Sequence, residues 1–141
     1  MKVFLDTNII LDLLLEREGW EDSAQIINLQ EKGSLQLCVS VLTMANVAYV
    51  YKKSVGDALA VANLKYLSVF FEVLPMDGAM MDEAISSRSR DFEDCLQAIS
   101  AGSAGCDAII TRNTRDYGNM VLKNHTLPSI FSPASFLSQI S

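Results

Sequence analysis

Three aspartates that are far apart in the sequence are the side chains best suited to act together chemically. Asp6 directly follows a short β-rich run, Asp94 falls in the first turn of a predicted helix, and Asp116 comes a few residues after another apolar run. Carboxylates in one cleft repel one another, so they need partial protonation or a bound cation. Mg²⁺ and Mn²⁺ favour carboxylate oxygens, and such an ion can activate water and stabilise charge on a phosphoryl group. The three aspartates therefore predict a metal site suited to phosphodiester hydrolysis.

Polar side chains close to these aspartates in the sequence are candidates for supporting roles. Asn8 follows Asp6 by two residues, and Thr111 and Asn113 precede Asp116. Their hydrogen bonds could orient a carboxylate or a water molecule. A polar turn after a strand favours the same residue types, and aspartates at strand ends often cap helices. A shared site is therefore inferred from the whole set, and each residue alone also fits a structural role.

Other chemically active side chains receive plainer interpretations. Asp12 lies in an apolar helix and is either a supporting group or a partly buried exception. Arg112 and Arg115 could touch phosphate, but their loop position favours solvation. His125, the single histidine, is expected to face solvent and is assigned no function. Three widely spaced cysteines argue against a disulfide framework or a zinc site, and we expect them to be buried small hydrophobes; they are Cys38, Cys95 and Cys106.

The elements that must position the three aspartates alternate between strands and helices. Strands are predicted at 2–5, 35–40, 71–75, 107–111 and 129–131, from β-rich and apolar runs. Helices are predicted at 9–15, 22–29, 42–53, 57–70, 77–87 and 91–104, with a last one starting at 132–133. The buried side of the fourth helix is predicted to consist of Leu59, Ala62, Tyr66, Leu67 and Phe70. This alternation predicts an α/β fold, a three-layer α/β/α sandwich with a parallel sheet of about five strands.

Composition and charge limit the class of protein. The chain has 141 residues, of which 50% are hydrophobic and 20% charged, so disorder is excluded and residues 1–141 are expected to form a single domain. A net charge of −6 argues against a generic DNA-binding module. No apolar run reaches the roughly 20 residues of a membrane helix, and the start does not have the pattern of a secretory signal. We therefore expect a soluble cytoplasmic protein.

Three segments together resemble the PIN domain, most closely the toxin ribonucleases of VapBC toxin–antitoxin pairs. They are FLDTNIILD at 4–12, DFEDCLQA at 91–98 and DAIITRNTRDY at 107–117. The resemblance implies Mg²⁺- or Mn²⁺-dependent cleavage of RNA by a metal-activated water. It matches Asp6, Asp94 and Asp116 to the family's metal-binding acids, and Thr111 and Asn113 to its polar supporting positions. It also implies a homodimer and a cognate antitoxin protein that binds across the active site.

One departure from the family pattern leaves a second interpretation open. Asn46 stands where the family usually has a glutamate on the helix after the second strand, and asparagine supplies no negative charge. The alternative is a catalytically impaired PIN module that binds RNA or a protein partner, although Asp91 or Glu93 could compensate for the lost acid. Phosphoryl transfer through an aspartyl nucleophile at Asp6 is set aside, because the position two residues later is Asn8 rather than an acid.

Overall fold

The structure, a computed structural model, describes residues 1–140, in which five strands alternate with eight helices. The strands are β1 (Lys2–Leu5), β2 (Gln36–Ser40), β3 (Glu72–Leu74), β4 (Ala108–Ile110) and β5 (Ser129–Phe131). The helices are α1 (Thr7–Leu15), α2 (Trp20–Glu31), α3 (Val41–Val55), α4 (Asp57–Phe70), α5 (Gly78–Ser87), α6 (Phe92–Ser103), α7 (Thr114–Gly118) and α8 (Pro133–Ile140). The predicted domain also includes Ser141, which lies outside the described residues.

All five strands pair in parallel, in the order β3-β2-β1-β4-β5. The chain first builds outward from β1 through β2 to β3, and then returns to the other side of β1 with β4. Parallel sheets of this kind form a crevice beyond the carboxyl ends of the strands, at the point where the strand order reverses. Here that point lies between β1 and β4, and the backbone N–H of Asp6 donates to the carbonyl of Ile110 across it, at 3.0 Å.

The alternating side chains of the central strands divide the core between the two faces of the sheet. Val3 and Leu5 pack with buried residues of α1, α2, α3, α4 and α8. Phe4 faces the other way and joins α6 and Tyr117 of α7, and α5 packs against the outer part of α6. Period-two alternation in strands that are buried on both sides produces this arrangement. The predicted three-layer α/β/α fold with a five-stranded parallel sheet is confirmed.

Two helices differ from the sequence prediction. α7 occupies a stretch that was interpreted as a polar turn; its five residues are too few for a periodic apolar pattern. On α4, Leu67 is buried as predicted, and Phe70 is partly buried. Leu59, Ala62 and Tyr66 were also expected to be buried but are exposed, and Ala60 is buried instead. Apolar residues occur all around α4, so their spacing did not identify the side that packs against α3.

The remaining structural expectations concern membranes and thiols. Within residues 1–140, no helix combines the length and apolar character required to cross a bilayer.

The three cysteines are buried, as predicted, and are not joined in disulfides. They lie in the part of the core that packs around α6, which is consistent with a packing role.

Candidate active site

Asp6 is fixed at the carboxyl end of β1 by hydrogen bonds to both of its carboxylate oxygens. Oδ1 accepts from the backbone N–H of Thr7 at 2.7 Å and caps α1, and Oδ2 accepts from Oγ1 of Thr111 at 2.8 Å. The residue is only 5% exposed. Burial raises the pKa of Asp6, and the two threonine donors oppose that rise by stabilising the ionised form.

The loop after β4 joins the predicted acids to one another. Oγ1 of Thr111 also accepts from the backbone N–H of Asn113, at 2.9 Å. The side-chain amide of Asn113 then donates to Oδ2 of Asp94 at 2.9 Å and to Oδ2 of Asp116 at 3.1 Å. Thr111 and Asn113 therefore lie where the sequence placed them, in contact with the three aspartates, and a single amide links the acids of α6 and α7.

Asp94 has a strongly raised pKa. Burial and, next, the negative charge of Asp6 raise its pKa to about 6, although the amide of Asn113 opposes the shift. Asp91, which caps α6 by accepting from the backbone N–H of Asp94 at 3.0 Å, adds a further repulsive charge. Tyr117 is buried nearby, and its pKa is raised well above 10 by burial and by the charges of Asp6 and Asp94. Asp6 and Asp94 therefore interact, despite a separation of 88 positions in the sequence.

An open cavity of about 350 Å³ lies over these groups and will be called the acidic pocket. Asn8 and Asn46 line it together with Asp6 and Asp94, so the asparagine at the family's glutamate position does face the predicted site. The full lining consists of Asp6, Thr7, Asn8, Leu11, Asn46, Tyr49, Val50, Asp91, Glu93, Asp94, Gln97 and Asn113. Four of these residues are acidic and none is basic. Asp116 does not line the acidic pocket; it faces a neighbouring cavity that also contacts Asp91.

The donor set fits a hard divalent cation. Mg²⁺ usually binds through one or two carboxylates and keeps several waters, and the acidic pocket offers Asp6 and Asp94 in an open, polar space. Within the described residues, no group of three or more His, Cys, Asp or Glu side chains is arranged to hold one ion. The assignment of Asp6, Asp94 and Asp116 as common ligands therefore stays a prediction, with Asp116 linked to the pair through Asn113.

A buried polar network beneath the acidic pocket was missed by the sequence analysis. Gln97 donates through Nε2 to the hydroxyls of Thr7 and Thr43, at 3.1 and 3.0 Å, and its Oε1 accepts from the hydroxyl of Ser40. These residues tie α1, α3 and α6 together below the carboxylates. Gln97 lies one helical turn after Asp94 on a buried helix, and a glutamine at such a position was the available signal.

Two residues, Arg112 and His125, have partners that the sequence analysis did not predict. Arg112, expected to be solvated, forms an ion pair with Asp12 at 3.1 Å, and Arg17 lies 3.9 Å from the same carboxylate. His125, expected to face solvent, is partly buried and contacts Glu83 at 2.7 Å. Long-range pairs of this kind leave no local pattern in the sequence.

The segment after α7 is also held at a glycine of α6. The same Glu83 accepts from the backbone N–H of Asn124 at 3.0 Å. Gly102 lies so close to this segment that a Cβ atom would be 2.7 Å from the carbonyl oxygen of Thr126. The segment is therefore anchored to both α5 and α6.

Comparison with known proteins gives a family match over most of the chain. The model of a family described as the PIN domain matches residues 2–115. Among curated proteins, Ribonuclease VapC1 of Aquifex aeolicus (strain VF5) is 29% identical over 122 residues, which cover 82% of this chain and 84% of the relative. The family match includes the segments that carry Asp6 and Asp94.

Solved structures show the same fold at lower identity. The structure of DNA-bound VapBC from Salmonella typhimurium has a TM-score of 0.69 and 22% identity, covering 94% of this chain and 98% of the other. VapC20 of Mycobacterium tuberculosis, described as a toxin that cleaves the sarcin-ricin loop, has a TM-score of 0.64 and 15% identity, covering 84% and 96%. These similarities extend over nearly the whole length of both solved chains.

Proposed function

We propose, from the premise that this chain belongs to the PIN domain family, that it is a divalent-metal-dependent endoribonuclease and the toxin of a toxin–antitoxin pair. The observation that carries the proposal is the acidic pocket: Asp6 and Asp94 share an open cavity with no basic side chain to neutralise them. The similarity to Ribonuclease VapC1 supports RNA as the substrate. The similarity to VapBC complexes supports an antitoxin protein as partner, and the proposal extends to a cytoplasmic homodimer.

In this reaction, the residues of the site would bind a divalent cation and keep the carboxylates that contact it in a fixed orientation. Asp6 and Asp94 would bind Mg²⁺ or Mn²⁺, with Asp116 as the third acid. When bound, the cation supplies positive charge to the phosphoryl group and lowers the pKa of an attacking water. Thr111 orients Asp6 and favours its ionised form, and Asn113 fixes Asp94 relative to Asp116 through its two donated hydrogen bonds. Fixed carboxylates lose little orientational freedom when the transition state forms, which favours catalysis.

The test is metal-titrated cleavage of a panel of transfer and messenger RNAs by the purified protein. We expect cleavage with Mg²⁺ or Mn²⁺, its loss in EDTA, and a loss of at least about 100-fold in Asp94→Asn. Asp82→Asn is the matched control, because Asp82 is exposed on α5 and makes no hydrogen bond or ion pair within the described residues. Equal activity of Asp94→Asn and the wild type would overturn the assignment of the site.

The alternative, a catalytically impaired module that binds RNA or a protein, is favoured by one observation. Asn46 lines the acidic pocket beside Asp6, so the pocket has an amide where the family usually has a carboxylate. Stable RNA binding without cleavage at any metal concentration would support this alternative. Cleavage of single-stranded RNA by the pure protein, suppressed by EDTA, would exclude it.

A further inference from the structure

Next to the acidic pocket lies a cavity of about 330 Å³, and three of the five arginines of the chain line it. Arg88 and Arg90 lie in the connection between α5 and α6, and Arg115 lies on α7. Within residues 1–140 none of the three guanidinium groups takes part in a hydrogen bond or an ion pair, unlike Arg17 and Arg112, which both pair with a carboxylate. This space will be called the arginine cavity.

The arginine cavity is continuous with the proposed site. Asp91 lines both spaces, and Asp116, which faces the arginine cavity, is joined to Asp94 through Asn113. Asp91 and Asp116 add two negative charges to the three positive ones of the arginine cavity, and each accepts only from a neutral donor, so the lining of this cavity has a net charge of +1. The lining of the acidic pocket has four acids and no base, so the sign of the charge changes between the two neighbouring cavities.

The backbone at Arg88 lies in the left-handed region, as it does at Glu16 after α1, and this offers a way to separate its roles by substitution. Arg88 follows the end of α5 with φ of +50°, in the left-handed region that favours glycine or asparagine. An arginine at such a position costs on the order of 1 kcal/mol relative to glycine. Its side chain is exposed and, among the described residues, forms no hydrogen bond or ion pair that would offset this cost.

We propose that the arginine cavity binds phosphates of the RNA strand adjacent to the phosphate that is cleaved in the acidic pocket. This inference rests on the proposed function, because it names how that site holds its substrate. Guanidinium groups bind phosphate through paired N–H donors and are weakly hydrated, which suits them to this contact. A protein with a net charge of −6 needs a local positive surface to hold a polyanion, and these three arginines supply one beside the acids. The proposed contacts are to the phosphate backbone of the RNA, so they position the RNA strand without selecting its nucleotide sequence.

The experiment measures binding of a short single-stranded RNA to the full chain in EDTA, over a series of salt concentrations, and then KM and kcat with metal. The variants are Arg88→Gly, Arg90→Gln, Arg115→Gln and the triple substitution. Lys65→Gln is the control of equal charge change for each single variant, because Lys65 is exposed on α4, away from both cavities. Each single variant should weaken binding roughly fivefold. The triple variant should lower the slope of log affinity against log salt by about 2, because each phosphate that an arginine neutralises contributes about 0.7 to that slope.

Arg88→Gly separates this role from a structural one. Glycine relieves the left-handed backbone, so the melting temperature should stay equal or rise while RNA binding weakens and KM increases with little change in kcat. Wild-type affinity and salt slope in the triple variant would overturn the proposal even if the protein cleaves RNA. RNA binding that depends on the arginines, without cleavage, would support it and contradict the nuclease function instead.

An acidic protein segment is the other anion that three arginines could bind, and the same assay distinguishes it. Poly-glutamate of matched charge should bind more weakly than RNA and should respond less to the triple substitution. Preferential binding of poly-glutamate, with the same weakening in the triple variant, would overturn RNA as the ligand of the arginine cavity.

Discussion

The two ends of α1 each carry a buried aspartate, and their surroundings differ in one respect. Asp12 is 3% exposed and lies against Arg112 and Arg17, so the protein supplies opposing charge. Asp6 is 5% exposed and receives only neutral donors from Thr7 and Thr111. Burial raises the pKa of both carboxyl groups, and only Asp12 has cations that lower it again.

This difference distinguishes an acid that lies beside cations of the fold from one that does not. The charge of Asp12 is opposed by two arginines, although its Oδ1 accepts no hydrogen bond and burial still raises its pKa. The charge of Asp6 is repelled by Asp94 and balanced by nothing among the described residues, which leaves it available to a bound cation. The four predictions below test whether the two aspartates differ in this way.

The largest expected effect is on cleavage. Asp6→Asn should reduce kcat/KM by at least about 100-fold, because it removes a charge that no other group replaces. Asp12→Asn should leave cleavage close to the wild-type rate. RNA cleavage assays at saturating Mg²⁺, with circular dichroism to check folding, measure both. Equal losses in the two variants would show that burial alone, and not the missing counter-charge, makes an aspartate of α1 important.

A second test adds charge to the acidic pocket. Asn46→Glu should tighten binding of Mn²⁺ roughly tenfold and raise cleavage at limiting metal, since it places a further carboxylate in the space that Asp6 lines. Isothermal titration calorimetry gives the affinity, and Asn28→Glu, on the exposed surface of α2, controls for net charge. Unchanged metal affinity would mean that position 46 does not contribute to cation binding.

The third prediction concerns the ion pair between Arg112 and Asp12. Arg112→Ala should lower the free energy of unfolding by about 1–2 kcal/mol, because it leaves the buried Asp12 carboxylate with only a distant partner. The double variant with Asp12→Asn should recover most of this loss. Urea unfolding of all four proteins completes the cycle, and additive losses would show that the two side chains are not coupled.

The smallest effect is on the pH dependence of stability. The pKa of Asp94 is raised to about 6 from 3.8, so the folded state binds its proton more tightly than the unfolded state. Stability of the metal-free wild type relative to Asp94→Asn should therefore fall as pH rises from about 4 to about 6, and saturating Mg²⁺ should oppose the fall above pH 6. Melting temperatures across this range measure it, and a flat difference would contradict the pKa shift.

The sequence predicted the strands and most helices because each has a signal confined to a few neighbouring residues. The β-rich runs at β1 and β5, the cap at Asp77 and the proline at the start of α8 are such signals. The buried side of α4 was predicted correctly at Leu67 and wrongly at most other positions, because apolar residues surround this helix and only tertiary packing determines which of them are buried.

The contacts of the candidate site were predictable only in part. Residue type and position after a strand selected Asp6, Thr111 and Asn113 as candidates, and hydrogen bonds join these three residues in the structure. The donors and acceptors of Gln97, the partner of Arg112 and the cluster of three arginines depend on segments that meet only in the folded chain. No local sequence pattern predicts these contacts, so they are seen only in the folded structure.

The anchoring of the segment that follows α7 has a consequence for how this protein can be damaged. The chain that follows α7 is fastened to Glu83 on α5 and lies against Gly102 on α6. A side chain introduced at position 102 would therefore have to displace this segment, which continues from the helix that carries Asp116. We therefore expect substitutions of Gly102, which lines neither cavity, to reduce the proposed activity.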